Sequence, residues 1–356
     1  MASHSDQIRR LERQYRRKKR MSKWEAFRRR LPFVLIFVLL TAAAAGLLRY
    51  RTSQRAAPVP PESLRVYILD VGQGDAALLC TDSHSILIDG GEPDQGNAVV
   101  QMLKAAGVSR LDCVINSHPH SDHIGGLAAV LEQIPADVLY LPEIPDSLTP
   151  TVWSFTHILD IAAEKQIPVR TPECHDVLSL GAAELEFYSV ENAGFEDLND
   201  CSLVCRVTCG TKRFLFTGDL SEAGEQAMLS AGYDLAADVL KAGHHGSSHS
   251  TTPEFLAAVS PDYAAVSCGA LNDYGHPAER TLRALHDAKC AVYRTDLDGT
   301  ILFETDGSGI TVTPHIEQKK IRCDQHDGLI AAVLFYEDCA CIFSRAMESM
   351  SLMRFC

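Results

Sequence analysis

The chain lacks any Cys-x-x-Cys pair, although it contains 12 cysteines among 356 residues. Small disulfide-stabilised domains show a regular cysteine spacing, so this class of protein is excluded. Basic residues are scarce after residue 30: of 33 Lys and Arg, 12 lie in residues 1–30, which leaves 21 against 43 Asp and Glu. Tight binding of long DNA needs many basic contacts to phosphate, so this acidic body argues against it.

The N-terminus has the opposite composition. Residues 1–30 carry only three acidic residues and predict a basic cytoplasmic segment. Residues 31–48 hold no charge, and about 17–25 apolar residues suffice to cross a bilayer as one transmembrane helix. The positive-inside rule then places the body outside the cell. The alternative is a cleaved signal peptide, because small residues follow the apolar run, and this would give a secreted protein.

The body alternates short apolar runs with helical patterns. Residues 49–63 have the composition of a linker, and residues 64–314 form two similar halves in which strands are followed by helices. This pattern predicts one α/β domain of two sheets packed face to face, with helices outside. Residues 315–356 show no clear period and are predicted to be an appendage.

Three histidines and an aspartate stand within six residues in the stretch "INSHPHSDHIGG". His118 and His120 are two apart on an extended segment, and Asp122 and His123 follow at the start of a predicted helix. Imidazole and carboxylate are the usual ligands of Zn²⁺, and the ends of strands are where α/β proteins build their sites. The cluster therefore predicts a metal site.

Two later strand ends offer further ligands. The run "KRFLFTGD" ends at Asp219, where Gly218 allows a sharp turn, and "DVLKAGHHGS" ends at His244 and His245. Either pattern alone is weak, but all three clusters occupy the same kind of position. Their coincidence predicts one shared centre.

The order of these motifs resembles the metallo-β-lactamase superfamily, whose HxHxDH signature matches His118 to His123. Within it the chain is most similar to the competence-related, ComEC-like hydrolase branch over about residues 64–305. The matching motifs are "DVGQGD" at 70–75, "IDGG" at 88–91, "SLV" at 202–204, "TGD" at 217–219, "LKxxHHGS" at 240–247 and "NxYGHP" at 272–277. The resemblance implies an αββα sandwich of two mixed β-sheets flanked by helices and a metal-dependent hydrolase. The many membrane spans of ComEC, the DNA-uptake channel protein, are not predicted from the residues of this sequence.

The resemblance also implies a ligand set for one or two Zn²⁺ ions, with Mn²⁺ as an alternative and no organic cofactor. The implied ligands are His118, His120, Asp122, His123, Asp219 and His244, with His245 as the alternative to His244. The first ion lacks the third histidine found in many members. Asn199 and Ser202 stand in that region, while His157 and His175 are the other histidines between Asp122 and Asp219.

Catalysis is assigned to Asp122, Asp219 and His276. His276 follows a strand and is predicted to donate a proton or hydrogen bond to a substrate oxyanion, or else merely to cap its turn. Asp70, Gln73 and Asp75 are predicted to orient ligand imidazoles, with a plain turn role as the alternative for Asp75.

A metal-bound hydroxide is the expected nucleophile. The primary hypothesis is a membrane-anchored phosphodiesterase or nuclease, whose partners are the membrane and a phosphodiester such as DNA. The second is an exported hydrolase of small or lipid-linked esters, such as a phosphocholine esterase or a lactamase. The third is a metal-binding module without turnover, which the full ligand set disfavours.

Overall fold

The computed structural model describes residues 63–189 and 197–315, together with Arg13 and Arg16. These residues belong to the first of two units of the chain, Met1–Ile316. The predicted segments 1–30, 31–48, 49–63 and 315–356 fall outside the described residues, apart from Arg13, Arg16, Ser63 and His315, and these assignments stay predictions. Among the described residues, no helix has the length and apolar character needed to cross a membrane.

The first sheet combines a parallel half with an antiparallel half. In spatial order its eight strands are β15 (Ile310–His315), β14 (Thr300–Thr305), β1 (Leu64–Ile68), β2 (Ala77–Cys80), β3 (Ser85–Ile88), β4 (Cys113–Ile115), β5 (Leu139–Tyr140) and β6 (Val169–Arg170). Strands β3 to β6 run parallel, and the remaining neighbours pair antiparallel.

The second sheet repeats this arrangement. In spatial order its seven strands are β13 (Ala291–Arg294), β12 (Tyr263–Val266), β11 (Val239–Lys241), β10 (Lys212–Phe216), β9 (Val204–Cys209), β8 (Ala183–Tyr188) and β7 (Val177–Ser179). Strands β10 to β13 run parallel, whereas β7 to β10 pair antiparallel. Both sheets are therefore mixed, as predicted.

The main core lies between the two sheets. Along β1, Leu64 and Val66 face this core while Tyr67 faces the opposite side, because successive strand residues alternate. The rings of Phe214 from one sheet and Phe303 from the other meet edge to face, with centroids 6.3 Å apart. Burial of such apolar surface holds the sheets together.

Helices cover the outer face of each sheet. Val99, Leu131 and Ile158 pack from helices onto the first sheet, and Met228 and Phe255 onto the second. This confirms the predicted αββα sandwich. The helices are α1 (Gly96–Ala105), α2 (Ser121–Ile124), α3 (Leu127–Gln133), α4 (Trp153–Glu164), α5 (Glu222–Ala231), α6 (Pro253–Val259), α7 (Glu279–Asp287) and α8 (Thr295–Asp298), with short 3-10 helices at Asp146–Leu148, Leu198–Cys201 and Gly243–Gly246.

The helix predicted after His123 is interrupted. It forms as α2 and α3, separated by Gly125 and Gly126. A side chain at position 126 would place its Cβ 2.0 Å from the Gly90 carbonyl oxygen, so the chain approaches β3 as only glycine allows. Strand β15 is not predicted from the sequence, because its residues lie at the edge of the sheet and are only partly apolar.

Candidate metal centre

Two histidines and an asparagine converge just beyond β4. His118 Nε2 lies 3.0 Å from His120 Nδ1, which lies 2.9 Å from Asn199 Oδ1. Asn199 sits in the 3-10 helix Leu198–Cys201, whose start is capped by the Asp197 side chain. Asn199 therefore stands beside the two histidines where the sequence offers no third imidazole. We call His118, His120 and Asn199 the first ligand group.

Four further side chains form a second ligand group beside the first: Asp122, His123, Asp219 and His245. His245 Nε2 lies 3.0 Å from Asp122 Oδ2 and 3.4 Å from Asp219 Oδ2. His123 Nε2 lies 3.3 Å from the same Asp219 oxygen. Each residue thus directs one donor atom to a common point.

The spacing in the second group suits a metal ion. Ligand atoms about 2.0–2.1 Å from a tetrahedral ion stand about 3.3 Å from each other, close to the separations observed here. His123 Nε2 and Asp219 Oδ1 are buried and make no hydrogen bond. Buried polar atoms normally have partners, so these two atoms are available to bind a ligand.

The structure brings His245 rather than His244 into the second group. His244 Nε2 lies 3.8 Å from Asp219 Oδ2, whereas the buried His245 contacts both carboxylates. Both histidines adopt left-handed backbone angles, with φ of 49° and 53°. This turn directs the His245 ring inward, so the geometry favours the alternative that the sequence analysis ranked second.

Asp89 was not among the predicted site residues, yet it orients side chains of the cluster through hydrogen bonds. Its buried carboxylate accepts hydrogen bonds from the Asn116 side chain and from the backbone and hydroxyl of Ser117. It also lies 2.9 Å from His123 Nδ1, so Nε2 is left to face the metal group. The signal in the sequence was "IDGG", an aspartate directly after β3.

Asp75 and Lys241 support His245 in a similar way. Asp75 Oδ1 lies 3.3 Å from His245 Nδ1, which is also 3.1 Å from the Ser267 carbonyl oxygen. Asp75 Oδ2 is 2.8 Å from the buried Lys241 ammonium. Asp75 is thus placed where an orienting role was predicted, and Lys241 is a supporting residue that the sequence analysis missed.

The other predicted supporting residues have different contacts. The Gln73 side-chain oxygen accepts a hydrogen bond from the Gly269 backbone, and Asp70 Oδ1 accepts one from Gly72. Ser202 Oγ accepts a hydrogen bond from the Asp219 backbone, so it positions Asp219. Gly218 has a φ of +53°, and a Cβ there would lie 2.7 Å from Ser202 Oγ, which explains the glycine.

His276 reaches the rim of the centre from the loop after β12. Its ring centroid lies 5.6 Å from that of His244 and 6.3 Å from that of His245. Its Nδ1 atom is buried without a hydrogen-bond partner. The structure therefore places His276 beside the ligand groups, as expected for a residue that contacts substrate.

The two histidines considered as replacements for the missing ligand have partners elsewhere. The His157 ring stacks on Trp153 with centroids 4.4 Å apart. His175 Nδ1 lies 2.9 Å from Glu186 Oε1, and the same carboxylate accepts hydrogen bonds from Tyr188 and Arg206. These contacts leave Asn199 as the side chain that completes the first group among the residues described.

Burial and charge together set the ionisation of the cluster. Burial alone would raise the pKa of Asp122, but the hydrogen bond from His245 and nearby positive charge outweigh it and hold the pKa at about 2. Burial would lower the pKa of His245, yet Asp219 and Asp75 raise it to about 10. Burial lowers the pKa of His276 to about 4, aided by the neighbouring histidines. His276 is therefore a neutral imidazole at pH 7.

Comparison with known proteins identifies the family of the chain. A family model described as the metallo-beta-lactamase superfamily matches residues 69–270. Competence protein ComA of Neisseria gonorrhoeae is 33% identical over 269 residues, which cover 75% of this chain and 35% of that protein. ComE operon protein 3 of Bacillus subtilis is 31% identical over 261 residues, or 67% of this chain and 32% of that protein. The chain thus spans about a third of the length of these relatives.

Among solved structures, the metallo-beta-lactamase fold protein YhfI of Bacillus subtilis superimposes with a TM-score of 0.43 at 13% sequence identity. The superposition covers 65% of this chain and 95% of that chain.

Proposed function

Because the chain belongs to the metallo-beta-lactamase superfamily, in a branch related to competence proteins, we propose that it is a metal-dependent hydrolase of phosphodiester bonds in nucleic acid. The observation that carries this proposal is the pair of adjacent ligand groups, since two neighbouring ions are a frequent arrangement in phosphodiester cleavage. Zn²⁺ is the expected metal because the donors are imidazole and carboxylate, and Mn²⁺ is the alternative.

A bound metal supplies an acidified water and neutralises negative charge on the phosphoryl oxygens. The protein supplies the remaining groups. Asp219 holds Oδ1 free of hydrogen bonds, so it can accept the proton as the water oxygen bonds to phosphorus and the ester P–O bond breaks. His276, neutral at pH 7, donates a hydrogen bond to a phosphoryl oxygen as its charge grows. Asp219 then passes this proton to the leaving oxygen, so that one water is consumed for each P–O bond broken.

The resemblance to ComEC-like hydrolases supports nucleic acid as the polymer. The acidic composition of the body instead favours the second candidate, a hydrolase of small or lipid-linked esters, because such substrates need fewer basic contacts than long DNA.

The localisation follows from the N-terminal sequence: we propose one anchor at residues 31–48 with the catalytic domain outside the cell.

The test is activity of the full chain, purified in detergent, on three substrates. These are single-stranded DNA, bis(p-nitrophenyl) phosphate and a chromogenic lactam. We expect both phosphodiesters to be cleaved in a metal-dependent way and the lactam to be left intact. Asp219→Asn should abolish cleavage, while Asp306→Asn, which changes an exposed carboxylate on the β14–β15 turn, should not. Hydrolysis of the lactam alone would overturn the proposal.

A further inference from the structure

Tyr274 stands at the outer end of a series of rings that leads into the metal centre. Its side chain is 72% exposed, and its ring lies 5.7 Å from the His276 ring with an angle of 25° between the planes. The His276 ring in turn lies 6.3 Å from the buried His245 ring, at 24°. Three rings therefore lead from solvent to the ligand groups, and the planes of neighbouring rings differ by 24° and 25°.

The loop that carries Tyr274 is held in place by Asn272. The Asn272 side-chain oxygen accepts hydrogen bonds from the backbone of Tyr274 and of His276. Its nitrogen donates to the carbonyl oxygens of Gly269 and His276. Gln73 anchors the base of the loop through Gly269. The exposed ring of Tyr274 is thus carried by a loop whose backbone is held by hydrogen bonds.

A second exposed aromatic residue lies at the same edge of the molecule. Trp153 is 65% exposed, stacks on His157, and begins α4, which follows β5. Strand β5 is parallel to β4, whose end carries His118, so the segments after both strands emerge at the same edge. Exposed aromatic rings therefore follow strands of both sheets.

Two cations near this edge are already paired with carboxylates. Lys241 is buried against Asp75, and Arg280 Nη2 lies 4.0 Å from Glu222 Oε2. Stacking on an aromatic ring requires no positive charge and strengthens the binding of a base about tenfold. Bases inside a duplex are already stacked and paired, so an exposed ring of this kind is available only to unpaired bases.

We propose that Tyr274 is a stacking platform for an unpaired nucleobase next to the phosphodiester that is cleaved, and that the substrate is single-stranded nucleic acid. This inference rests on the proposed function and adds the residue that selects the substrate. Tyr274 acts on binding and orientation of the substrate, while the ligand groups and His276 act at the reacting phosphate.

The decisive experiment measures cleavage by the full-length protein loaded with Zn²⁺. Two single-stranded oligonucleotides of equal length are compared, one with bases and one made entirely of abasic sites. Tyr274→Ala should lower kcat/KM on the base-bearing strand about tenfold and leave the abasic strand unchanged. Tyr274→Phe should behave as the parent because it keeps the ring. Leu271→Ala, which changes a fully exposed apolar residue of the same loop, is the matched control.

Binding of an oligonucleotide containing 2-aminopurine, measured by its fluorescence, tests the inference without turnover. If no variant cleaves phosphodiesters, the proposed function fails, and the binding measurement still decides the role of Tyr274. Equal affinities of the parent and Tyr274→Ala would overturn the inference even if cleavage is robust. The inference would also be overturned if Tyr274→Ala lowered activity only on p-nitrophenyl phosphorylcholine. That result would show that the ring binds a quaternary ammonium group.

Discussion

The Lys241 ammonium lies 2.8 Å from Asp75 Oδ2, and both side chains are more than nine-tenths buried. A buried cation with a buried carboxylate is stable only as a pair, because removal of one partner leaves the other charge without compensation. This pair lies directly behind His245, so the stability of the fold and the orientation of a metal-facing imidazole depend on the same contact.

Lys241→Met should therefore lower the free energy of unfolding by about 3–5 kcal/mol. Lys212→Met is the control, since Lys212 forms a 2.7 Å pair with Asp238 in which both side chains are about a fifth exposed, and it should cost about 1 kcal/mol or less. Urea denaturation measures both. The double variant Lys241→Met with Asp75→Asn should recover part of the loss, and equal losses for the two single variants would contradict this account.

The two ligand groups should differ in affinity for metal. The first group offers two imidazoles and an amide oxygen, whereas the second offers two imidazoles and two carboxylates. Titration with a chelator, followed by elemental analysis, should remove the ions in two steps. Asn199→His should tighten the weaker step, because imidazole is a better Zn²⁺ ligand than an amide. A single step in the parent protein would show that the groups are equivalent.

His245→Ala should remove the tightly held metal, and His244→Ala should remove much less. The reason is that His245 Nε2 stands 3.0 and 3.4 Å from the two carboxylates of the second group, and His244 is farther away. Metal content per chain after gel filtration checks this. The reverse order would restore His244 as the ligand implied by the family resemblance.

The network around Glu186 should make stability depend on pH. Burial would raise the pKa of Glu186, but hydrogen bonds from His175, Tyr188 and Arg206 outweigh it and hold the pKa below its ordinary value of 4.5. A lowered folded-state pKa stabilises the protein above pH 4.5, and this contribution is lost as the pH falls through the folded value.

Glu186→Gln should therefore cost about 1–3 kcal/mol at pH 7, and the difference from the parent should shrink at pH 3 to 4. Glu184→Gln changes an exposed carboxylate on the same strand and serves as the control. A difference that stays constant with pH would rule out the charged hydrogen bonds as its cause.

The predicted topology places residues 64–314 outside the cell on an anchor at residues 31–48. Protease added to intact cells should degrade the catalytic domain, and a cytoplasmic marker protein should survive. Deletion of residues 1–48 should leave the domain inside the cell and protected. Protection of the full chain in intact cells, with a surface marker degraded, would reverse the assignment.

The position of the site could be predicted from sequence because it depends on strand ends. Each of the three apolar runs that predict these strands is followed by a polar cluster, so the sequence predicts that His118, Asp219 and His245 lie at one edge. Side-chain direction could not be predicted in the same way. His244 and His245 share a left-handed turn, and only the packed structure shows which ring faces Asp122.

Supporting residues were harder to identify for a related reason. Lys241 lies on β11 among apolar residues, and its partner Asp75 comes from a loop distant in sequence. Sequence patterns describe neighbours along one element, whereas this pair forms across the junction of the two sheets. Asp89 had a local signal, but a carboxylate after a strand is also common in ordinary turns.

The two sheets meet at one edge, so an ion bound there joins them and stabilises the fold. Asp122 follows a strand of one sheet and His245 a strand of the other, 123 residues apart in sequence. An ion held by both side chains acts as a removable crosslink across that long loop, and closing a long loop restricts the unfolded chain. Resistance to unfolding should then rise with the concentration of free metal, which makes the supply of metal a control on how long the folded chain persists.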